Sequence, residues 1–150
     1  MTDSPPSPRK RILLVDDDPA GAELTLAALT IVDPTAGIDV VSDGEEALDY
    51  VFRRGPFESL PAELPGAILL DLKMPKVDGH EVLRQIRADP TLRDLKIVVL
   101  TSSDQERDRE LSRVLGTDGY VVKPASITSL IGELRQCAHL LLPPATPAAP

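Results

Sequence analysis

Three carboxylates, a hydroxyl and an ammonium group stand directly after apolar runs in this chain. Ile12-Leu13-Leu14-Val15 leads into Asp16-Asp17-Asp18, and Ala67-Ile68-Leu69-Leu70 leads into Asp71. Ile97-Val98-Val99-Leu100 leads into Thr101-Ser102, and Gly119-Tyr120-Val121-Val122 leads into Lys123-Pro124. Carboxylates brought together repel one another, and a divalent cation removes the conflict. Hard oxygen ligands select magnesium or manganese, and magnesium takes one or two carboxylates, some water and phosphate oxygens. Asp16 and Asp17 would hold the metal. Asp71, alone at its strand end, is the candidate nucleophile, since aspartate can attack phosphorus and form an acyl phosphate. Lys123 would neutralise the phosphoryl oxygens and the Thr101 hydroxyl would bond another; phosphoryl transfer asks mainly for such positioning and charge compensation.

These residues must be brought together by the elements that carry them. Each apolar run is short, rich in β-branched residues and followed by a helix-like pattern, as in buried parallel strands. The ends of such strands share the rim of an open α/β sheet, where ligands bind. Strands are predicted at 11–15, 38–42, 67–70, 96–100 and 119–122. Asp39 and Ser42 weaken the second.

Asp18-Pro19 caps and opens the first helix, with Leu24, Ala27, Ala28 and Ile31 as its apolar face. Asp43 with Glu46 caps the second, and Asp78 starts the third. Ser103-Asp-Gln-Glu106 reads as a capping box for the fourth, which ends at Gly116. The fifth is predicted from Ser126 to about Leu142, where Pro143-Pro144 stops it. Residues 55–66 form a long connection with three prolines and two glycines, read as an insertion. Five strand–helix alternations imply an α/β doubly wound parallel sheet with right-handed crossovers.

The chain has 150 residues, 42% of them hydrophobic, which suits one domain with a single core. We expect mobile tails at 1–9 and 143–150, a folded domain at 10–142, and no output domain after it. The net charge of −8 argues against nucleic acid or an anionic membrane as partner. One cysteine, Cys137, allows no intrachain disulfide and reads as a small apolar residue. No apolar run reaches spanning length and no secretory signal is evident, so a cytoplasmic protein is expected.

The set Asp16-Asp17, Asp71 within Leu69-Leu-Asp-Leu-Lys-Met-Pro-Lys-Val-Asp-Gly79, Thr101-Ser102 and Lys123-Pro124 resembles the receiver domain of bacterial two-component response regulators. The resemblance implies a flavodoxin-like (βα)5 fold, strand order 2-1-3-4-5, and Asp71 as phosphoacceptor. It implies a metal site of Asp16, Asp17, Asp71 and the Lys73 main-chain carbonyl, and a cis peptide before Pro124. It makes Thr101 and Tyr120 the switch pair, Tyr120 turning inward as Thr101 moves toward the phosphoryl group; a packing tyrosine is the plainer alternative. It further implies a sensor histidine kinase as partner, a homodimer through the fourth helix, fifth strand and fifth helix, and catalysis limited to the domain's own phosphorylation and dephosphorylation.

A narrower likeness lies in Asp43-Gly-Glu-Glu-Ala-Leu-Asp-Tyr-Val-Phe52, the prolinous loop and Arg87-Ala-Asp-Pro-Thr-Leu-Arg93. These resemble single-domain regulators paired with phytochrome histidine kinases. The surplus of leucines at the end of the last helix is a second argument for the homodimer. The rival reading is a haloacid-dehalogenase-type phosphatase with Asp16 as nucleophile and Asp16-x-Asp18 as its acid pair. It leaves Asp71 without a role and lacks an acidic pair late in the chain. Lys73 and Ser103 are expected to flank the path of the hydrolytic water. Ser102 reads as a small residue near the site or a bond to it, and His80 and His139 as surface histidines away from the rim.

Overall fold

The computed structural model describes residues 11–61 and 63–142; the expected tails, 1–9 and 143–150, lie outside them. Strands β1 (Ile12–Val15), β2 (Ile38–Val41), β3 (Ala67–Leu70), β4 (Lys96–Thr101) and β5 (Gly119–Val122) form one parallel sheet in the order β2-β1-β3-β4-β5. Between them run helices α1 (Pro19–Val32), α2 (Gly44–Val51), α3 (Gly79–Arg87) and α4 (Glu106–Leu115), and α5 (Ile127–Gln136) and α6 (Ala138–Leu141) close the chain. This is the doubly wound parallel sheet expected from the alternation of elements, in the flavodoxin-like order that the resemblance implied.

Side chains alternate across a strand, so a run buried on both faces feeds two cores. Leu13, Val15, Ile68, Leu70 and Ile97 pack with α2 and α3 through Leu48, Val51, Val82, Leu83 and Ile86. Ile12, Leu14, Leu69, Val98 and Leu100 pack on the other face with α1 and α5 through Ala28, Leu29, Leu130 and Leu134. Both layers are needed because neither sheet face is polar enough to meet water.

Four local expectations are corrected. The buried face of α1 is Ala22, Thr25, Ala28 and Leu29, while Leu24 and Ile31 are exposed. That helix is apolar almost all round, so periodicity could not choose its face; its packing against α5 did. The capping box at Ser103 does not form. Gln105 is the N-cap of α4 and makes no side-chain cap bond; the Ser103 amide is taken by Thr101 Oγ1, and its hydroxyl donates to Asp108 Oδ2 at 2.5 Å and accepts from Gln105 N at 3.4 Å. The last helix breaks at Cys137, whose thiol donates to the Glu133 and Leu134 carbonyls. The break lets α6 fold onto β3 and β4 and buries Leu141. Finally, the peptide before Pro124 is trans.

The polar interruption of β2 is also explained. Asp39 accepts from Arg11 Nε and Nη2 at 2.8 and 2.9 Å and from the Tyr50 hydroxyl at 2.5 Å. Tyr50 anchors the long connection as well. Phe57 packs edge-on to its ring, and Arg53 lies over it while donating to the Tyr50, Pro61 and Glu63 carbonyls. The connection is thus pinned at Phe57, Pro61 and Glu63.

Burial, then the Asp39 hydrogen bond, pushes the Tyr50 hydroxyl up to about 12. Burial also raises Tyr120, the other tyrosine of the chain. A group with a raised folded pKa holds its proton where the unfolded chain has lost it. Stability should therefore decline as pH rises from about 10, the ordinary tyrosine value, through about 12. An alkaline titration followed by tyrosinate absorbance should show no full step near pH 10 until denaturant is added; a two-tyrosine step there in the folded protein would contradict the geometry.

Candidate functional site

Parallel register sets the site. Val15 stands opposite Leu70 across β1 and β3, so the next residues, Asp16 and Asp71, leave the sheet at the same level. Leu70 stands opposite Val99, which brings Thr101 to the same rim, and Thr101 stands opposite Val122, one residue before Lys123. Four segments far apart in sequence therefore deliver their polar residues to one edge.

The carboxylates are held alike. Lys123 Nζ lies 3.0 Å from Asp16 Oδ2 and 3.1 Å from Asp71 Oδ2. The other oxygen of each accepts a main-chain amide two residues on, Asp18 N at 3.0 Å and Lys73 N at 3.2 Å. Asp16 is 3% and Asp71 7% exposed, while Asp17 faces solvent. Burial pulls the Lys123 ammonium down, but its bonds to Asp16 and Asp71 outweigh that and leave it above the ordinary lysine value of 10.5.

Asp16, Asp17 and Asp71 each present an oxygen within 4.8 Å of the others. Among the described residues, one ammonium against three carboxylates leaves a formal double negative charge at this site. A hard divalent cation fits that donor set.

Thr101 is fully buried at the end of β4, and its Oγ1 accepts from Ser103 N at 3.3 Å. Its carbonyl accepts from Lys123 N at 2.7 Å, which locks the ends of β4 and β5 together. Tyr120 donates to the Ser103 carbonyl at 2.9 Å, with the Arg109 guanidinium 4.6 Å above its ring. The loop from Asp71 to α3 lies tightly against its neighbours. A Cβ at Gly79 would overlap the Asp71 carbonyl and Leu72 Cα, and one at Gly44 would overlap the Val77 carbonyl.

Asp18 is the cap of α1, accepting from Ala20 N, and not a second acid facing the cluster. Ser102 is exposed, as is His139. His80 corrects its expected place. It lies by the rim, its Nε2 3.0 Å from Ser112 Oγ and 3.3 Å from the Asp108 carbonyl. With Leu72, Lys73, Met74, Asp78 and Asp108 it lines a groove between the β3–α3 loop and α4. Asp108 was not foreseen; its side chain, 16% exposed, meets both Ser103 and Lys73. No spacing signals such a contact, since it depends on how α4 leans over the β3–α3 loop.

The model of the response regulator receiver domain matches residues 12–135. This chain belongs to the response regulator receiver family. Among curated relatives, the probable methanogenesis regulatory protein FilR2 of Methanothrix harundinacea (strain 6Ac) is 41% identical over 79% of this receiver and 75% of its own length. Response regulator Rcp1 of Synechocystis sp. (strain ATCC 27184 / PCC 6803 / Kazusa) is 36% identical over 83% of each chain. Among solved structures, the phosphorylated cyanobacterial phytochrome response regulator RcpA superposes with a TM-score of 0.82 and 35% identity. That match covers 94% of this receiver and 99% of that chain. The Mn(2+)-bound form of Rcp1 gives 0.79 and 33%, covering 93% and 99%. The receiver is thus similar to single-domain phytochrome response regulators, as its loop and helix motifs implied. Membership sets aside the dehalogenase-type reading, since receiver domains are signalling domains.

Proposed function

We propose that this receiver takes a phosphoryl group on Asp71 from the phosphohistidine of a sensor histidine kinase. The observation that carries the proposal is the shared grip of Lys123 on two buried carboxylates, Asp16 and Asp71, at one strand rim. An Asp71 oxygen bonds to phosphorus, the P–N bond of the donor breaks, and the imidazole keeps the electron pair and takes a proton. Lys123 stays within reach of the transferred oxygens, and Thr101 turns its hydroxyl to another. Magnesium, or manganese, held by Asp16, Asp17, Asp71 and the Lys73 carbonyl, neutralises phosphoryl charge when bound.

Drawing Thr101 toward the phosphoryl group shifts the loop whose Ser103 carbonyl holds Tyr120. A population shift of α4, β5 and α5 follows. The kinase is phytochrome-like, by the likeness to RcpA and Rcp1, and the downstream protein meets the α4-β5-α5 face in the cytoplasm. A homodimer forms through the same face. The terminal leucines do not contribute to it, since Leu140, Leu141 and Leu142 pack against this chain's own core. Exposed Leu111, Val114 and Ile127 carry it instead. A monomeric mass by light scattering at micromolar concentration, with and without acetyl phosphate, would remove the dimer.

The test of the site is direct. Full-length protein incubated with acetyl phosphate and magnesium should gain one phosphoryl mass, and a chelator should prevent the gain. A phosphorylated phytochrome-type kinase should pass its label on. Absence of the mass gain would end the phosphoacceptor reading.

Lys73 and Ser103 set how long the group stays. The Lys73 side chain, 58% exposed, lies 3.9 Å from Asp108 and reaches across the approach of water to phosphorus when it leaves that partner. Lys73→Ala should speed loss of the phosphoryl group roughly fivefold, about 1 kcal/mol off the barrier. Ser103→Ala should change the same rate. Intact-mass decay after removal of acetyl phosphate reads both, and unchanged rates would refute the role.

A further inference from the structure

We infer that Asp108, on the first turn of α4, is a positioning residue that draws Lys73 and Ser103 away from the phosphoacceptor. This rests on Asp71 being that acceptor. One carboxylate oxygen, Asp108 Oδ2, meets both side chains: it accepts the Ser103 hydroxyl proton at 2.5 Å and lies 3.9 Å from Lys73 Nζ. These two residues follow Asp71 and Thr101 by two positions, and each main-chain amide already bonds the side chain of the residue it follows. Lys73 and Ser103 are therefore tied to the site by their backbones and to α4 by their side chains. Asp108 is itself fixed from the other side, where His80 Nε2 meets its carbonyl and Ser112 Oγ.

The consequence concerns hydrolysis of the acyl phosphate. A water oxygen bonds to phosphorus in line, the P–O bond to Asp71 breaks with its electron pair returning to the carboxylate, and the water protons leave with inorganic phosphate and solvent. A lysine ammonium or serine hydroxyl resting on the phosphoryl oxygens obstructs that approach. With Asp108 present, the Ser103 proton is committed and the ammonium is drawn toward α4, so the path is obstructed for less of the time. Asp108 thereby couples the position of α4, the element that partners touch, to the lifetime of the signal. A partner that pulls α4 away would release Lys73 and lengthen that lifetime.

The test uses the full chain loaded with acetyl phosphate and magnesium, followed by intact mass after donor removal with magnesium kept. Asp108→Asn, which retains an acceptor for Ser103 but removes the charge facing Lys73, should slow dephosphorylation about three- to tenfold, and Asp108→Ala at least as much. In a Lys73→Ala/Ser103→Ala background either substitution should change the rate by less than about 1.5-fold. A structural weakening of α4 would act equally in both backgrounds. No change, an acceleration, or equal changes in the two backgrounds would overturn the clamp while leaving Asp71 as acceptor. Failure of the wild-type chain to gain the phosphoryl mass would remove the acceptor itself, and the clamp with it.

Discussion

Asp71→Asn should take up no phosphoryl group from acetyl phosphate or from a phosphorylated kinase, a fall of more than about a thousandfold, as expected when a nucleophile is removed. The amide keeps the shape of the carboxyl but not its nucleophilic charge. The variant should still fold, because Lys123 retains Asp16 as a partner at 3.0 Å. An unchanged melting profile alongside the lost mass gain separates chemistry from unfolding. Asp16→Asn is the informative companion. It weakens the metal site and slows labelling, yet the label that forms should still map to Asp71. Labelling that survived Asp71→Asn and vanished with Asp16→Asn would mean that the nucleophile is Asp16, and the order of roles at this rim would be reversed.

Lys123→Ala is expected to have the second-largest effect, on rate and on stability together. The ammonium is the cation that touches both buried carboxylates, and its side chain is only 24% exposed. Labelling should slow on the order of a hundredfold, the usual cost of one preorganised group aimed at developing charge. Without divalent cations the fold should lose about 3 kcal/mol, because two buried carboxylates are left facing each other without compensation. Magnesium should restore part of that loss, since a ligand that binds only the folded state stabilises it by mass action.

The pH window follows from the direction of the shift. The pairing of Lys123 holds its folded pKa above 10.5, so its contribution is complete below 10.5 and is lost as pH climbs past the raised value. The deficit of the variant should therefore be flat across neutral pH. Urea midpoints at unchanged slope measure it; a variant as stable as the parent in chelator would show that the cluster does not depend on its lysine.

Much of this was legible before any coordinates. The four apolar runs are too short for buried helices and are bounded by caps and turn residues, so their strand character and the parallel sheet follow from pattern alone. The site residues were legible for a related reason: a carboxylate or ammonium at the end of a buried strand has nowhere to go but the rim. What misled was local chemistry with more than one outlet. Ser103 followed by Glu106 looks like a capping box, yet the Ser103 amide goes to Thr101 Oγ1 and its hydroxyl serves Asp108 and Gln105 N. Leu24 and Ile31 look like a core face, yet the helix sits close enough to α5 that only Ala22, Thr25, Ala28 and Leu29 go inside.

By itself, then, the amino-acid order determined the elements, their alternation, the acidic and basic residues at their ends, and the charge conflict that asks for a cation. Only the tertiary structure decided which side chains share a proton or an ion pair: Lys123 with Asp16 and Asp71, Asp39 with Arg11 and Tyr50, and Asp108 with Ser103 and Lys73. The reason is range. Burial and helix capping act within a few residues and leave periodic traces, whereas a hydrogen bond of about 3 Å depends on the packing of elements that the chain separates by as many as 107 residues.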